Sequence, residues 1–223
     1  MTIDDLLKAY DSYVLVGQGG SGKSEMALFL SSRLPQGGKF LDLDQTKAVF
    51  RSRTYARENP NFEVISGLQF MDAPTVPFQF RDAILHHEEG KKTIIDLPAD
   101  QKGLLILGQV LEDLKKEKAC VFFLYNPYRN PMNMKSVLLR QLEAVEAFLP
   151  GLRLYLILNP TLGLTRTRRE DVEEGVRRVE EALEGSPYFP AFVLADEKLG
   201  LSGGNYLPIQ VHFNQGNKEF LDQ

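Results

Sequence analysis

A glycine-rich segment near the start of the chain carries residue types that bind phosphate groups. Residues 17–24 read G-Q-G-G-S-G-K-S and match the pattern G-x-x-x-x-G-K-[ST]. Glycines let the backbone curl so that successive N–H groups face phosphate oxygens. Lys23 brings a positive charge that reaches the β- and γ-phosphates, and the Ser24 hydroxyl is a ligand for Mg²⁺. The segment predicts a phosphate-binding loop (P loop), and a chance match in a glycine-rich turn is the alternative.

The sequence on either side of the P loop favours the phosphate-binding interpretation. Residues 13–16 (YVLV) are uncharged and partly β-branched, which predicts a short buried strand. Apolar residues then recur at helical spacing from Met26 to Leu34, and Pro35 ends that pattern. A helix that begins at the loop directs the positive end of its dipole at a bound anion.

The length of 223 residues and the ordinary composition allow one globular domain. Together with the P loop, they predict a single nucleotide-binding domain that spans residues 1–223. The net charge of −4 disfavours nucleic acid as the main partner. Cys120 is the only cysteine and the first ten residues are acidic, without the features of a signal peptide, so a reducing, cytoplasmic location is expected. No apolar run is long enough to cross a bilayer, and we expect no membrane partner.

Segments with a strand pattern alternate with segments with a helix pattern along the chain. Strands are predicted at residues 13–16, 39–43, 62–65, 92–98, 119–125, 152–158, 192–194 and 209–213. Helices are predicted at residues 2–10, directly after the P loop, and at 82–89, 101–116, 131–149 and 169–183. This alternation predicts an α/β fold, with a mostly parallel sheet and helices on both faces in a three-layer sandwich.

Several residues that could contact a ligand come directly after predicted strands. They are Gly17, Asp44, Asp96, Asn126 and Asn159. Ligands of parallel sheets bind at the carboxyl ends of the strands. We therefore expect these residues to lie at one edge of the sheet, although they are far apart in sequence.

Four stretches between residues 13 and 160 resemble the ParA/MinD-type P-loop ATPases. Residues 19–24 are similar to the family's G-G-x-G-K-[ST], and residues 42–45 (DLDQ) to the D-x-D segment that begins switch I. Residues 94–98 (IIDLP) resemble the strand and D-x-P of switch II, and Asn159 resembles an asparagine that contacts adenine. The resemblance implies a P-loop NTPase fold, with ATP and Mg²⁺ as cofactors and slow ATP hydrolysis.

The resemblance also implies roles for individual residues. Asp96 would hold Mg²⁺ together with Ser24, and Asp44 would orient the attacking water while Lys23 neutralises phosphate charge. A strand-end turn is the alternative for Asp96 and Asp44, and capping of the Pro160 turn is the alternative for Asn159. The residues predicted to contact the nucleotide are Gly17, Gln18, Gly19, Gly20, Ser21, Gly22, Lys23, Ser24, Glu25 and Asn159.

One position departs from the family pattern. The family's signature lysine, which reaches a partner's nucleotide across a dimer, corresponds to Gln18 in this chain. Glutamine brings no charge, so fast hydrolysis driven by a dimer is not expected. Lys47, Arg51 and Arg53 are candidate replacements for that charge, and a solvated loop surface is the alternative.

We therefore expect an ATP-dependent conformational switch that a protein partner or a second copy of the chain reads. A small-molecule kinase or ATP-dependent ligase is the first alternative, and it would need an acceptor pocket from residues 59–82 or 195–215. A non-hydrolysing nucleotide-binding module is the second alternative, which Gln18 favours. The guanine-reading pattern N-K-x-D is missing, and this favours ATP over GTP.

Three further features carry weaker signals. The sequence His86-His87-Glu88-Glu89 is interpreted as an exposed helix end, because adjacent helical residues point in different directions and do not converge on a metal. Cys120 lies in an apolar run and is predicted to be an inert core thiol. The arginines at positions 166, 168 and 169 are interpreted as loop residues before an acidic helix.

Overall fold

An eight-stranded sheet forms the centre of the protein. The computed structural model describes residues 2–34, 36–43, 61–66, 78–85, 90–98, 101–129, 132–162, 167–201, 203 and 205–209. The strands are β1 (Ser12–Gly17), β2 (Gly38–Asp42), β3 (Phe62–Ser66), β4 (Lys92–Asp96), β5 (Ala119–Tyr125), β6 (Arg153–Leu158), β7 (Pro190–Asp196) and β8 (Tyr206–Ile209). Their order is β3-β2-β4-β1-β5-β6-β7-β8, and every neighbouring pair is parallel. The strand that leads into the P loop therefore lies inside the sheet, between β4 and β5.

Helices connect the strands and cover the sheet. Those in the described residues are α1 (Ile3–Ala9), α2 (Lys23–Arg33), α3 (Phe78–Leu85), α4 (Gln101–Gly108), α5 (Leu111–Lys116), α6 (Met134–Phe148) and α7 (Arg169–Leu183). A short 3₁₀ helix spans Glu197–Leu199. Helix α1 begins with a capping box, in which the Thr2 side chain accepts from the Asp5 amide and the Asp5 carboxylate accepts from the Thr2 amide.

Alternate side chains of the strands supply two separate apolar cores, one on each face of the sheet. Tyr13 and Leu15 of β1 pack in the core that α1 and α2 cover, whereas Val14 and Val16 pack in the core that α3 to α7 cover. Strands β1 and β5 are buried along their whole length, as expected for strands with helices on both sides. The result is a three-layer sandwich with a parallel sheet, which confirms the predicted fold class.

The structure corrects the predicted helix at residues 101–116. This segment forms two helices, because α4 ends at Gly108 in 3₁₀-type bonds from Gln109 N to Ile106 O and from Val110 N to Leu107 O. Such tightened turns close the end of a helix without a side-chain cap. The apolar periodicity continued across the break, so the sequence pattern did not reveal it.

Two other elements have different bounds. The helix predicted at residues 82–89 is α3 at Phe78–Leu85, and residues 86–89 lie outside the described residues. The last described strand is β8 at Tyr206–Ile209, and residues 210–213 of the strand predicted at 209–213 lie outside the described residues. Strand β8 includes Pro208, which an edge strand tolerates because its outer N–H groups need no partner strand.

Candidate functional site

The P loop has a backbone conformation that depends on its glycines. Gly17, Gly20 and Gly22 have positive φ angles of 148°, 72° and 99°. A Cβ atom on Gly17 would lie 2.2 Å from the Leu124 carbonyl oxygen of β5, so the loop also passes too close to β5 for any side chain. Helix α2 begins at Lys23 with Gly22 as its N-cap, and no side chain caps it. Its first N–H groups and dipole thus lie at the loop, as an anion site requires.

The Lys23 side chain is folded back across the P loop. It is buried, and its Nζ donates to the Gly17 carbonyl oxygen at 2.8 Å and to the Gln18 carbonyl oxygen at 3.0 Å. A cation is thereby held against the inner side of a loop of glycines. A phosphate is an anionic acceptor, so it forms a stronger hydrogen bond with the ammonium group than a neutral carbonyl oxygen does.

Two buried carboxylates lie at the ends of neighbouring strands beside the P loop. Asp96 ends β4 and is in register with Leu15 of β1 and with Asp42, which ends β2. Both aspartates and Ser24 are buried. The donor set of a serine hydroxyl and carboxylate oxygens fits Mg²⁺, which prefers hard oxygen ligands. Within the described residues, no group of three or more His, Cys, Asp or Glu is placed to hold a metal. Mg²⁺ bound at nucleotide sites usually keeps phosphate oxygens and water among its ligands.

Two asparagines end the next strands and support the loops there. Asn159 follows β6, and its backbone N–H donates to the Tyr125 carbonyl oxygen at 2.8 Å. Its side-chain Nδ2 lies 2.2 Å from the position that a Cβ atom on Gly22 would take. Asn159 Oδ1 is buried, and no donor among the described residues reaches it. Asn126 follows β5, and its Nδ2 donates to the Thr161 carbonyl oxygen at 3.0 Å.

The structure therefore brings most of the predicted residues to one edge of the sheet. Residues 17–25 and Asn159 surround the start of α2, and Asp96 ends the strand beside β1. Their roles stay predictions. Asp44, the candidate cations Lys47, Arg51 and Arg53, and the sequence from His86 to Glu89 lie outside the described residues.

Arg129 is a residue at this edge that the sequence reasoning missed. Its guanidinium lies over Gly20, where an added Cβ would be 2.8 Å from Nη2, 2.9 Å from Cζ and 3.0 Å from Nε. No local motif marks Arg129, because it belongs to the turn after β5 and meets the P loop only in the folded chain. The available signal was Asn126 directly after a buried strand, since asparagine favours turns at such positions.

A cavity of about 500 Å³ adjoins the P loop on the side of α4 and α6. Its lining is largely apolar and includes Leu97, Phe123 and Val137, with Gln18, Arg140 and Gln141 as polar members. Gln141 Oε1 is buried and no donor among the described residues reaches it. A smaller cavity of about 380 Å³, lined partly by residues 63–65 and 78–79, lies at β3, three strands from β1.

Burial also shifts the pKa values of two groups in β5, one at each end of the strand. Burial raises the pKa of the Tyr125 hydroxyl, which ends β5 and has no hydrogen-bond partner among the described residues. Cys120 is fully buried, and burial raises the pKa of its thiol. Within the described part of the chain, no helix has the length and apolar character needed to cross a membrane.

Comparison with known proteins shows a likeness of fold. No protein-family model matches the chain, and no curated protein is similar to it in sequence. Among solved structures, the fold is similar to that of a GTPase from Pyrococcus abyssi in its apo form, with a TM-score of 0.50 and 14% identity. The match covers 95% of this chain and 94% of that one. Together with the parallel sheet and the loop after β1, this likeness shows that the chain has the P-loop NTPase fold. The ParA/MinD type is a finer assignment and stays a prediction.

Proposed function

We propose that the chain binds a nucleoside triphosphate at the P loop and hydrolyses it slowly as a conformational switch. One observation carries the proposal: the buried Lys23 amine crosses a loop of positive-φ glycines at the start of α2. The arrangement brings a buried ammonium group, backbone N–H groups and the start of a helix to one place, which is what a phosphate-binding site requires. A bound triphosphate would add an anionic acceptor for the ammonium group.

The neighbouring residues supply the remaining contacts. The first N–H groups of α2 and the loop amides bind phosphate oxygens, and Lys23 binds the β- and γ-phosphates. Ser24 and Asp96 would hold Mg²⁺, which neutralises charge on the phosphate oxygens when it is bound. Asp42 lies in register with Asp96 and is a further candidate for this oxygen ligand set. Asp44 retains its proposed role in orienting the attacking water.

We propose ATP as the nucleotide. Asn159 is followed by Pro160, Thr161 and Leu162, so the acidic residue that reads the guanine base in N-K-x-D is missing. The structurally similar protein from Pyrococcus abyssi is described as a GTPase, which makes GTP the alternative to test. Titration with fluorescent ATP and GTP analogues, with and without Mg²⁺, is expected to show at least 10-fold tighter binding of ATP. Equal affinities, or tighter binding of GTP, would contradict the assignment of ATP.

The proposed switch lies in the segments that follow Asp42 and Asp96, and a partner protein or a second copy of the chain would read it. Both strands end at the site, so contacts with the γ-phosphate and its metal can order the chain beyond them. Trypsin cleavage after Lys47, Arg51 and Arg53 is expected to be slower with Mg²⁺ and a non-hydrolysable ATP analogue than with ADP. Identical cleavage in both states would contradict a switch in this segment.

Transfer of the terminal phosphoryl group to a small molecule is a second candidate, and the cavity beside Gln18 favours it. The cavity suits a compound with an apolar body and an anionic group that Arg140 can pair with. If this reaction occurs, adding the acceptor to the enzyme and ATP gives more ADP than inorganic phosphate. In Ala144→Trp, whose larger side chain fills the cavity, the amounts of ADP and phosphate should become equal. Equal amounts of ADP and phosphate with every compound tried would support the switch instead.

A further inference from the structure

We propose that Arg129 places its guanidinium on the terminal phosphate of the bound nucleotide, within the same chain. Arg129 belongs to the turn after β5 and brings a cation to the P loop from another element. This inference rests on the proposed nucleotide binding, and it adds a residue that contacts the transferred group.

The first support is the position of the guanidinium over the P loop. The Nη2, Cζ and Nε atoms of Arg129 all lie within 3.0 Å of where a Cβ of Gly20 would be. Gly20 and Arg129 are both exposed, so the guanidinium is accessible to a ligand that binds at this face of the loop. The absence of a side chain at Gly20 is what allows a planar group to approach the backbone this closely.

The second support is that the turn carrying Arg129 is held by specific hydrogen bonds. The Asn126 Oδ1 atom accepts from the Tyr128 amide at 2.9 Å, and the Arg129 amide donates to the Asn126 carbonyl oxygen at 3.2 Å. The other end of the Asn126 side chain donates to the Thr161 carbonyl oxygen at 3.0 Å. This Asx turn fixes the direction in which the Arg129 side chain leaves the backbone.

The third support is that α7 packs directly against this turn. A Cβ on Gly175 would lie 2.6 Å from Pro160 Cβ and 3.1 Å from Pro127 Cγ, so the helix backbone touches both strand-end loops. Tyr128 donates from its hydroxyl to the Asp171 carbonyl oxygen of α7. A residue on a turn held from two sides loses less entropy on binding a ligand than one on a loose loop does.

The chemistry of hydrolysis gives this guanidinium a defined role. The oxygen of water forms a bond to the γ-phosphorus, and the bond from that phosphorus to the β–γ bridging oxygen breaks. The bridging oxygen keeps the electron pair and leaves as the diphosphate, and the proton lost by water passes to the solvent or to the released phosphate. The oxygens of the transferred phosphoryl group carry negative charge during this step, and arginine stabilises that charge through planar, charged donors without giving up a proton.

The test compares nucleotide affinity and turnover in wild type, Arg129→Ala and Arg129→Lys. Arg153→Ala is the control, because Arg153 is an exposed arginine at the start of β6, at the opposite edge of the sheet. We expect Arg129→Ala to bind ADP within about 2-fold of wild type, to bind the triphosphate analogue about 10-fold more weakly, and to hydrolyse ATP at least about 100-fold more slowly. Arg129→Lys should recover part of the affinity but little of the rate, because lysine lacks the planar donors.

The possible failures can be told apart. If Arg129→Ala keeps the triphosphate affinity and the rate of wild type, the role of Arg129 is overturned. If Lys23→Ala has lost binding in the same assay, the proposed function stays intact. An equal loss of ADP and triphosphate affinity would also overturn a contact with the terminal phosphate. No binding of any nucleotide by the wild-type protein would overturn both proposals.

Discussion

Replacement of Gly22 by alanine tests the geometry that joins the P loop to the end of β6. Gly22 has a φ of 99°, and the new Cβ would lie 2.2 Å from Asn159 Nδ2 and 3.0 Å from Asn159 Cγ. The variant therefore meets two penalties at once. The backbone is in a region that alanine disfavours, and the Asn159 amide must leave its place.

The magnitude follows from these two contributions. The left-handed conformation costs alanine about 1–2 kcal/mol, and displacing a buried amide costs about 1–3 kcal/mol. The lower entropy of the unfolded chain with alanine returns about 0.4–1 kcal/mol. We expect Gly22→Ala to lower the free energy of unfolding by about 1–4.6 kcal/mol, measured from urea denaturation with an unchanged m-value.

Gly90→Ala is the matched control, because Gly90 has a similar φ of 82° and no described atom within 4 Å of its added Cβ. Gly90→Ala should lose about 0–1.6 kcal/mol, because only the backbone cost and the entropy of the unfolded chain contribute. In an Asn159→Ala background, Gly22→Ala should cost no more than this control does, because the clashing amide is gone. If Gly22→Ala is as mild as Gly90→Ala in the wild-type background, Asn159 does not pack against the P loop and the reasoning is refuted.

Three other predictions follow from the same structure. Ser24→Ala and Asp96→Asn should each remove most of the Mg²⁺ dependence of triphosphate affinity. The measurement compares the affinity in Mg²⁺ with the affinity in EDTA, and a variant with the same ratio as wild type would exclude that residue as a metal ligand. The Cys120 thiol should not react with an aromatic disulfide reagent at pH 8 until urea unfolds the chain, because burial raises its pKa; rapid reaction in the native state would show that it is accessible. Gly175→Ala should lower the free energy of unfolding by about 1–2 kcal/mol, because the new methyl group overpacks against Pro160; a thermal midpoint at or above that of wild type would contradict this contact.

The sequence predicted the parts of the site whose signal is local. The glycine spacing before Lys23 is a local pattern that predicts phosphate binding. The apolar run that ends at Asp96 predicts a strand with a polar residue at its end. Because all the neighbouring strands are parallel, these positions meet at one edge once the sheet forms. The fold class follows from the same alternation of strands and helices.

The remaining features depend on contacts between distant parts of the chain. The register of Asp42 with Asp96 requires β2 to lie beside β4, which the order of the strands in sequence does not reveal. Arg129 meets Gly20 only because β1 and β5 are neighbours and because Asn126 turns the chain back. The acceptor pocket predicted from residues 59–82 or 195–215 stays a prediction. The smaller cavity is lined partly by residues 63–65, 78–79 and 82, whereas the cavity beside the P loop is lined by α4, α6 and the ends of β1 and β5.

The central claim is that Lys23 and the loop around it bind the phosphates of a nucleotide. Isothermal titration calorimetry of the wild-type protein and of Lys23→Ala with ATP in Mg²⁺ buffer measures this directly. We predict saturable binding of one nucleotide per chain by the wild type, and affinity at least about 100-fold weaker in a folded Lys23→Ala variant. Wild-type affinity in that variant, or no heat of binding with ATP or GTP in the wild type, would contradict the account.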